Sequence, residues 1–130
     1  MNGGIIEVAA AVIRRGNKVL LASRPEDKPP AGWEFPGGKI EAGETPGEAL
    51  TREIWEELGV EATPGTELGT LLNGRIKLHF IAATIPDAAT PAPRENQQFF
   101  WVELTPDAPE KLLPAYHEFW KRLAKTDNFF

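Results

Sequence analysis

The sequence contains no cysteine, only 2 histidines, and fewer basic than acidic side chains. Without cysteine it has neither disulfide bonds nor thiolate metal ligands, and His79 and His117 lack the partners of a typical zinc site. His79 lies in a predicted strand and is expected at the surface or at a sheet edge. With 14 basic and 19 acidic residues the formal charge is -5. Because binding to a nucleic-acid polymer needs a basic surface, that class of function is disfavoured.

Long apolar runs are also missing. The apolar stretch over residues 5–13 is interrupted by Glu7 and followed by Arg14 and Arg15, which is the wrong length and polarity for a signal peptide or a membrane span. We therefore expect a cytoplasmic protein without membrane association. At 130 residues and 42% hydrophobic content, the chain fits one domain over residues 1–130. The sequence leaves open whether it forms a monomer or a homodimer.

Short apolar segments separated by turn residues predict a sheet. The predicted strands comprise residues 5–14, 18–22, 67–72, 75–85 and 99–104. The connections Arg15-Gly16-Asn17 and Asn73-Gly74 each predict a β-hairpin. Residues 24–38 are rich in proline and glycine, which predicts a long loop without a regular helix or central strand.

Two helices are expected. The segment 45–48 combines an N-cap threonine, a proline at the first helical position and a glutamate that closes a capping box. This helix should run to about Leu58, with Gly59 at its C-terminal cap. A second, amphipathic helix is expected over residues 115–125. Strands combined with two helices indicate an α/β layered domain with a mixed sheet.

The first predicted helix carries a band of carboxylates. Its apolar stripe, which should face the core, consists of Leu50, Ile54 and Leu58. Glu53 and Glu57 lie at the edge of that stripe, and Glu56 continues the arc outward. Such a band is often only the solvated face of an amphipathic helix. Here, however, like charges at i, i+3 and i+4 repel one another unless a cation is present, and hard oxygen ligands select Mg²⁺, Mn²⁺ or Ca²⁺.

A long fixed pattern includes these carboxylates. The stretches Gly38-Lys-Ile-Glu-Ala-Gly-Glu44 and Arg52-Glu-Ile-Trp-Glu-Glu-Leu-Gly-Val60 together resemble the Nudix box, GX5EX7REUXEEXGU, in which U is aliphatic. Every defined position matches over residues 38–60. The resemblance implies a Nudix α/β/α sandwich with a mixed β-sheet between helices. It also implies metal-dependent hydrolysis of a nucleoside diphosphate that is linked to another moiety.

The resemblance assigns roles to residues of the box. The implied metal ligands are the carbonyl oxygen of Gly38, with Gly37 as an alternative, and the side chains of Glu53, Glu56 and Glu57. Arg52 and Glu44 are expected to orient these ligands, as residues behind a metal site generally do. Mg²⁺ is the expected metal because the substrate is a phosphate, and Mn²⁺ is a substitute.

Residues outside the box are similar to the MutT-type branch of the family, which hydrolyses nucleoside triphosphates to monophosphate and pyrophosphate. The segment Trp33–Lys39, including Phe35, carries this similarity. Arg24 resembles a loop arginine that contacts substrate, and Glu95 resembles an acidic group near the metal that serves as ligand or general base. Phe80 aligns with an aromatic residue of the nucleoside pocket, although a strand phenylalanine is more often simply core.

Tyr116 departs from the pattern of the members that hydrolyse 8-oxo-dGTP. Those members carry Pro-Ala-Asn, whose amide reads the purine edge, whereas this chain has Pro114-Ala115-Tyr116. A tyrosine can stack on a base or bond to it, but it lacks the paired donor and acceptor of an amide. The expected function is therefore Mg²⁺-dependent hydrolysis of a nucleoside triphosphate, consistent with nucleotide-pool sanitising. The alternatives are hydrolysis of ADP-ribose, a nucleotide sugar or a cytosine nucleotide, and a non-catalytic nucleotide sensor.

Overall fold

The computed structural model describes residues 4–24, 31–94 and 97–125. The strands are β1 (Ile6–Arg15), β2 (Lys18–Ser23), β3 (Trp33–Glu34), β4 (Gly37–Lys39), β5 (Thr63–Asn73), β6 (Ile76–Thr84) and β7 (Phe99–Glu103). The helices are α1 (Pro46–Leu58) and α2 (His117–Ala124), and a 3-10 turn over Pro114–Tyr116 leads directly into α2. In this described part of the chain, no helix is long and apolar enough to span a membrane.

Both predicted hairpins are confirmed. The strands β1 and β2 pair up to Arg15 and Lys18, and β5 and β6 pair up to Asn73 and Ile76. Glycine in each turn has a positive φ, which a residue with a side chain adopts less readily. The strand β5 begins four residues earlier than the sequence predicts, and its first half pairs through irregular register shifts around Glu67.

The strand β1 lies at the centre of the sheet. It pairs in parallel with β6 and antiparallel with β4 and β2. The strand β5 extends the sheet beyond β6, while β3 and β7 both pair with β2. The predicted mixed sheet is therefore confirmed. Its central strand β1 connects the strands β4, β5 and β6 to the strands β2, β3 and β7.

The two helices cover opposite faces of the sheet. On one face, α1 contributes Leu50, Ile54 and Leu58 to a core that includes Ala9, Ala11 and Ile13 of β1. On the other face, α2 contributes Phe119, Trp120 and Leu123 to a core that includes Ala10 and Val12 of β1. Alternate residues of one strand thus serve two cores, and each fully buried leucine or isoleucine stabilises the fold by roughly 1.5–3 kcal/mol. This arrangement confirms the α/β/α sandwich.

Two predicted boundaries are wrong. The second half of the expected loop over residues 24–38 contains the short strands β3 and β4, because distant strands provide their hydrogen-bonding partners. Even Pro36 between them contributes, since its carbonyl oxygen accepts a hydrogen bond from the Ala11 N–H at 2.8 Å. The last helix begins at His117, later than the predicted 115, because the 3-10 turn occupies the preceding residues.

The expected position of His79 at the surface or at a sheet edge is also wrong. The residue is buried on β6, between β1 and β5. Its Nε2 lies 2.8 Å from an oxygen of Glu7, and its Nδ1 lies 3.2 Å from an oxygen of Glu67. Because the carboxylates come from the two neighbouring strands, the local sequence around His79 contains no sign of these contacts.

Candidate active site

The capping signals of the sequence fix both ends of α1. The Thr45 hydroxyl accepts a hydrogen bond from the Glu48 N–H at 3.1 Å, and the Glu48 carboxylate accepts one from the Thr45 N–H at 2.9 Å. At the other end, Gly59 has a φ of 68° and its N–H donates to the Trp55 carbonyl oxygen at 3.0 Å. The predicted helix is confirmed at both termini, so its carboxylates have defined positions along the helix.

The three glutamates that α1 contributes to the implied metal site differ in exposure as their positions on the helix predict. Glu57 is buried, with 6% of its surface exposed. The side chain of Glu53 is 19% exposed and that of Glu56 is 46% exposed. The acidic arc therefore begins inside the buried surface of α1 and ends in solvent.

Arg52 connects this arc to the segment that precedes α1. Its guanidinium forms a two-point ion pair with Glu44, at 2.7 and 3.0 Å. Its Nη1 lies 3.0 Å from a Glu53 oxygen and 3.5 Å from a Glu56 oxygen, and its Nη2 donates to the Lys39 carbonyl oxygen at 3.0 Å. One cation thus offsets part of the repulsion between the carboxylates and ties α1 to β4.

The ion pair shifts the acidity of both partners. The hydrogen bond from Arg52 lowers the pKa of Glu44 to about 2, and the Glu41 N–H, which donates to the same carboxylate at 2.9 Å, adds to this effect. The hydrogen bond to Glu44 in turn raises the pKa of Arg52 above its ordinary value. Both groups therefore stay charged throughout the neutral range, and the pair persists.

Two glycines bring the backbone of β4 close to the carboxylates. A Cβ atom at Gly38 would lie 2.6 Å from the Glu53 Oε1, closer than atoms in van der Waals contact. Gly37 has a φ of 149°, and a Cβ atom there would overlap the Ala9 carbonyl oxygen of β1. Gly37 thus needs to be glycine, and at Gly38 the backbone itself lies against the Glu53 carboxylate.

The chemistry of these groups fits a hard divalent cation. Carboxylate and carbonyl oxygens are the ligands that Mg²⁺ and Mn²⁺ prefer, and Glu53, Glu56, Glu57 and the Gly38 carbonyl group would supply them. Across residues 4–24, 31–94 and 97–125, no three acidic or histidine side chains form a group that could hold a metal ion by themselves. Glu53 and Glu56 contact Arg52 instead. Glu95, the further expected ligand or base, lies outside the described residues.

Arg24, a predicted substrate residue, pairs with Glu34 at 3.1 Å. Burial raises the pKa of Glu34, and Arg24 opposes this effect. Burial also raises the pKa of Tyr116, whose hydroxyl group forms a hydrogen bond with Glu34. Arg24 lines a cavity of about 530 Å³ together with Trp33 and His117. Glu34 was not identified by the sequence analysis, and its place in the segment Trp33–Lys39 was the only signal for it.

The other predicted substrate residues lie together in the core next to α2. Phe80 is fully buried and stacks on Phe119, with 3.7 Å between ring centroids. Phe35 is buried between them and Tyr116, at centroid distances of 5.6–5.9 Å. The structure therefore places Phe35, Phe80 and Tyr116 in an aromatic cluster rather than on an open pocket wall. For Phe80 this agrees with the packing alternative.

Known proteins are similar to this chain in sequence and in fold. The family model for the NUDIX domain matches residues 5–123. A CTP pyrophosphohydrolase of Escherichia coli (strain K12) is 45% identical to the chain, over 75% of the chain and 75% of that protein. An 8-oxo-dGTP diphosphatase of Haemophilus influenzae is 36% identical over 99% of both. The crystal structure of MutT from Methanosarcina mazei Go1 has a TM-score of 0.78 at 26% identity and covers 96% of both chains.

The sequence pattern of the box, the sandwich around a mixed sheet and these similarities agree with one another. The match to the family model extends far beyond the box and includes the strands of the described residues, α1 and α2 up to Leu123. The chain therefore belongs to the Nudix family and is a pyrophosphohydrolase.

Proposed function

We propose that the protein hydrolyses a nucleoside triphosphate to a nucleoside monophosphate and pyrophosphate in a reaction that depends on Mg²⁺. The observation that carries the proposal is the arrangement of the glutamates of α1 against the backbone of β4. The Glu53 carboxylate occupies the space that a side chain at Gly38 would fill, and Glu57, one turn later on the same helix, is buried. An acidic protein needs a cation to hold an acidic substrate, and this is where the chain offers oxygen ligands for one.

Each residue of the site has a proposed role. The Gly38 carbonyl group and the side chains of Glu53, Glu56 and Glu57 would hold Mg²⁺, which would neutralise phosphate charge and lower the pKa of water when bound. Arg52, held by Glu44, keeps the carboxylates oriented. Glu95 or Glu53 accepts the proton of the attacking water, whose oxygen forms a new bond to phosphorus as a phosphoric anhydride bond breaks and the nucleoside monophosphate and pyrophosphate separate. Arg24 contributes positive charge toward the substrate.

The similarities point to two substrates. One relative acts on CTP and the other on 8-oxo-dGTP. Tyr116 stands where an asparagine would read an oxidised purine, and its hydroxyl group is bonded to Glu34. We therefore favour a cytosine nucleotide over 8-oxo-dGTP, and a role in nucleotide-pool sanitising would follow if the preferred nucleotide carries a damaged base.

The test is pyrophosphate and phosphate release from a nucleotide panel, with Mg²⁺, with Mn²⁺ and with EDTA. The panel contains CTP, dCTP, GTP, 8-oxo-dGTP, ADP-ribose and a nucleotide sugar. We expect metal-dependent release of pyrophosphate from a triphosphate, with a larger kcat/KM for CTP or dCTP than for 8-oxo-dGTP. Cleavage of ADP-ribose or of the sugar nucleotide alone would contradict the triphosphate assignment. Binding without any cleavage would identify a nucleotide sensor.

A further inference from the structure

The C-terminal end of α1 has an excess of negative charge. The carbonyl end of a helix has a partial negative charge, and Glu56 and Glu57 add two carboxylates to the last turn. No basic residue lies in that turn. A helix end of this kind needs donors and positive charge from another part of the chain.

Residues 92–94 provide these donors. The Arg94 N–H donates to the Glu57 carbonyl oxygen at 2.9 Å, and the Ala92 N–H donates to the Leu58 carbonyl oxygen at 3.2 Å. The Arg94 side chain reaches further back along the helix, where its Nη1 donates to the Trp55 carbonyl oxygen at 3.2 Å. Three carbonyl groups of the last turn are therefore bonded to one short segment.

The Arg94 side chain is held in place by packing. Its guanidinium lies 5.5 Å from the centre of the Trp55 ring, which is 54% exposed. Its Cδ would be 3.1 Å from a Cβ atom at Gly59, so the cap glycine leaves room for it. At the other end of the same segment, Arg15 donates to three carbonyl oxygens of residues 86–89 at 2.8–3.3 Å. The segment 86–94 is thus fastened to both the sheet and the helix.

We propose that Arg94 is a positioning residue for the metal-binding turn of α1, an inference that rests on the proposed metal site. At about 100° per residue, Trp55 points away from both Glu53 and Glu57, so Arg94 lies across the helix from these two carboxylates. It acts by fixing the backbone that carries Glu57. A direct effect of its charge on the metal would have the opposite sign, because a nearby cation repels Mg²⁺.

The test measures Mn²⁺ affinity from the electron paramagnetic resonance signal of free Mn²⁺, without substrate. Arg94→Ala should raise the Kd for Mn²⁺ by about 3- to 10-fold, because the contacts with the Trp55 carbonyl oxygen and ring that fix the turn are lost. Arg94→Lys should recover part of this loss. In turnover assays, high Mg²⁺ should restore kcat for Arg94→Ala, while KM for the nucleotide at saturating metal stays near the wild-type value.

Arg75→Ala is the matched control, because it removes an exposed arginine at the β5–β6 turn and changes the net charge equally. It should leave Mn²⁺ affinity unchanged. An unchanged or tighter Kd for Arg94→Ala would overturn the inference while leaving the metal site intact, and so would a lower Tm without any change in affinity. Failure of the wild-type protein to bind Mn²⁺ would overturn the proposed metal site and this inference with it.

Discussion

Arg52 is the residue on which the geometry of the site depends most. It contacts Glu44, Glu53, Glu56 and the Lys39 carbonyl group. A planar guanidinium can satisfy this number of acceptors in fixed directions, which an ammonium group cannot. The contact with Glu44 is the strongest of the set, since it is bidentate and shifts the pKa of both groups.

Glu44→Gln should change how stability depends on pH. Because the pKa of Glu44 in the folded protein is about 2, below its ordinary 4.5, its pairing stabilises the fold above pH 4.5. That contribution is lost as the pH falls toward 2. The difference in unfolding free energy between wild type and variant should therefore be full at pH 7 and smaller at pH 3. Urea unfolding at both pH values measures it.

The exposed Glu110 supplies the control for this experiment. Glu110 has no described contact with Arg52, and Glu110→Gln removes the same charge. This variant should therefore not show the loss of unfolding free energy that Glu44→Gln shows at pH 7. A difference for Glu44→Gln that stays constant from pH 7 to pH 3 would argue against the ion pair as its source.

Other residue-scale features could not be predicted from sequence. The contacts of Tyr116 within the fold, a hydrogen bond from its hydroxyl group to Glu34 and packing of its ring against Phe35, had no signal in the sequence. His79 was expected at the surface, but two carboxylates from neighbouring strands enclose it. In each case the partner lies far away in sequence, and neither hydrophobic periodicity nor composition identifies such a partner.

At the scale of elements, α1 was predicted almost completely and β3 and β4 were not. The helix has local signals, namely its capping box, its first-turn proline and its terminal glycine, and all of them are present in the structure. The strands β3 and β4 have only two and three residues, too few to show a period. They exist because β2 and β1 offer hydrogen-bonding partners. The box pattern predicts which glutamates bind the metal. The position of the β4 backbone next to them depends on the pairing of β4 with β1, which the pattern does not contain.

Gly38→Ala tests this contact between β4 and α1. The added methyl group would collide with the Glu53 carboxylate, so that either the strand or the carboxylate must move. The carboxylate is the end of a flexible side chain and should move more readily than the strand, so we expect little loss of stability but a fall in kcat of at least about 10-fold.

Gly4→Ala is a suitable control, since nothing lies within 4 Å of its added Cβ atom. Thermal unfolding and turnover at saturating Mg²⁺ measure the two effects. Unchanged turnover in Gly38→Ala would mean that the close approach does not position Glu53.

At the scale of the whole molecule, the proposed metal ligands lie beside only one of the two cores. The core next to α2 contains the large aromatic side chains, including the fully buried Trp120 and Phe80. The core next to α1 contains the apolar stripe, and Glu57 lies at its margin. Replacing one carboxylate by an amide of the same shape at that margin keeps the packing of both cores, so its effect on turnover can be attributed to the metal site.

The most direct test of the central claim is therefore pyrophosphate release by Glu57→Gln, measured at saturating Mg²⁺ with the best triphosphate of the panel. We expect kcat to fall by at least about 10²–10³-fold, with the far-UV circular dichroism spectrum of the wild type. Glu61→Gln, which removes an exposed carboxylate just beyond α1, should retain normal turnover. A folded Glu57→Gln variant with near-normal kcat would contradict the assignment of the metal site to the carboxylates of α1.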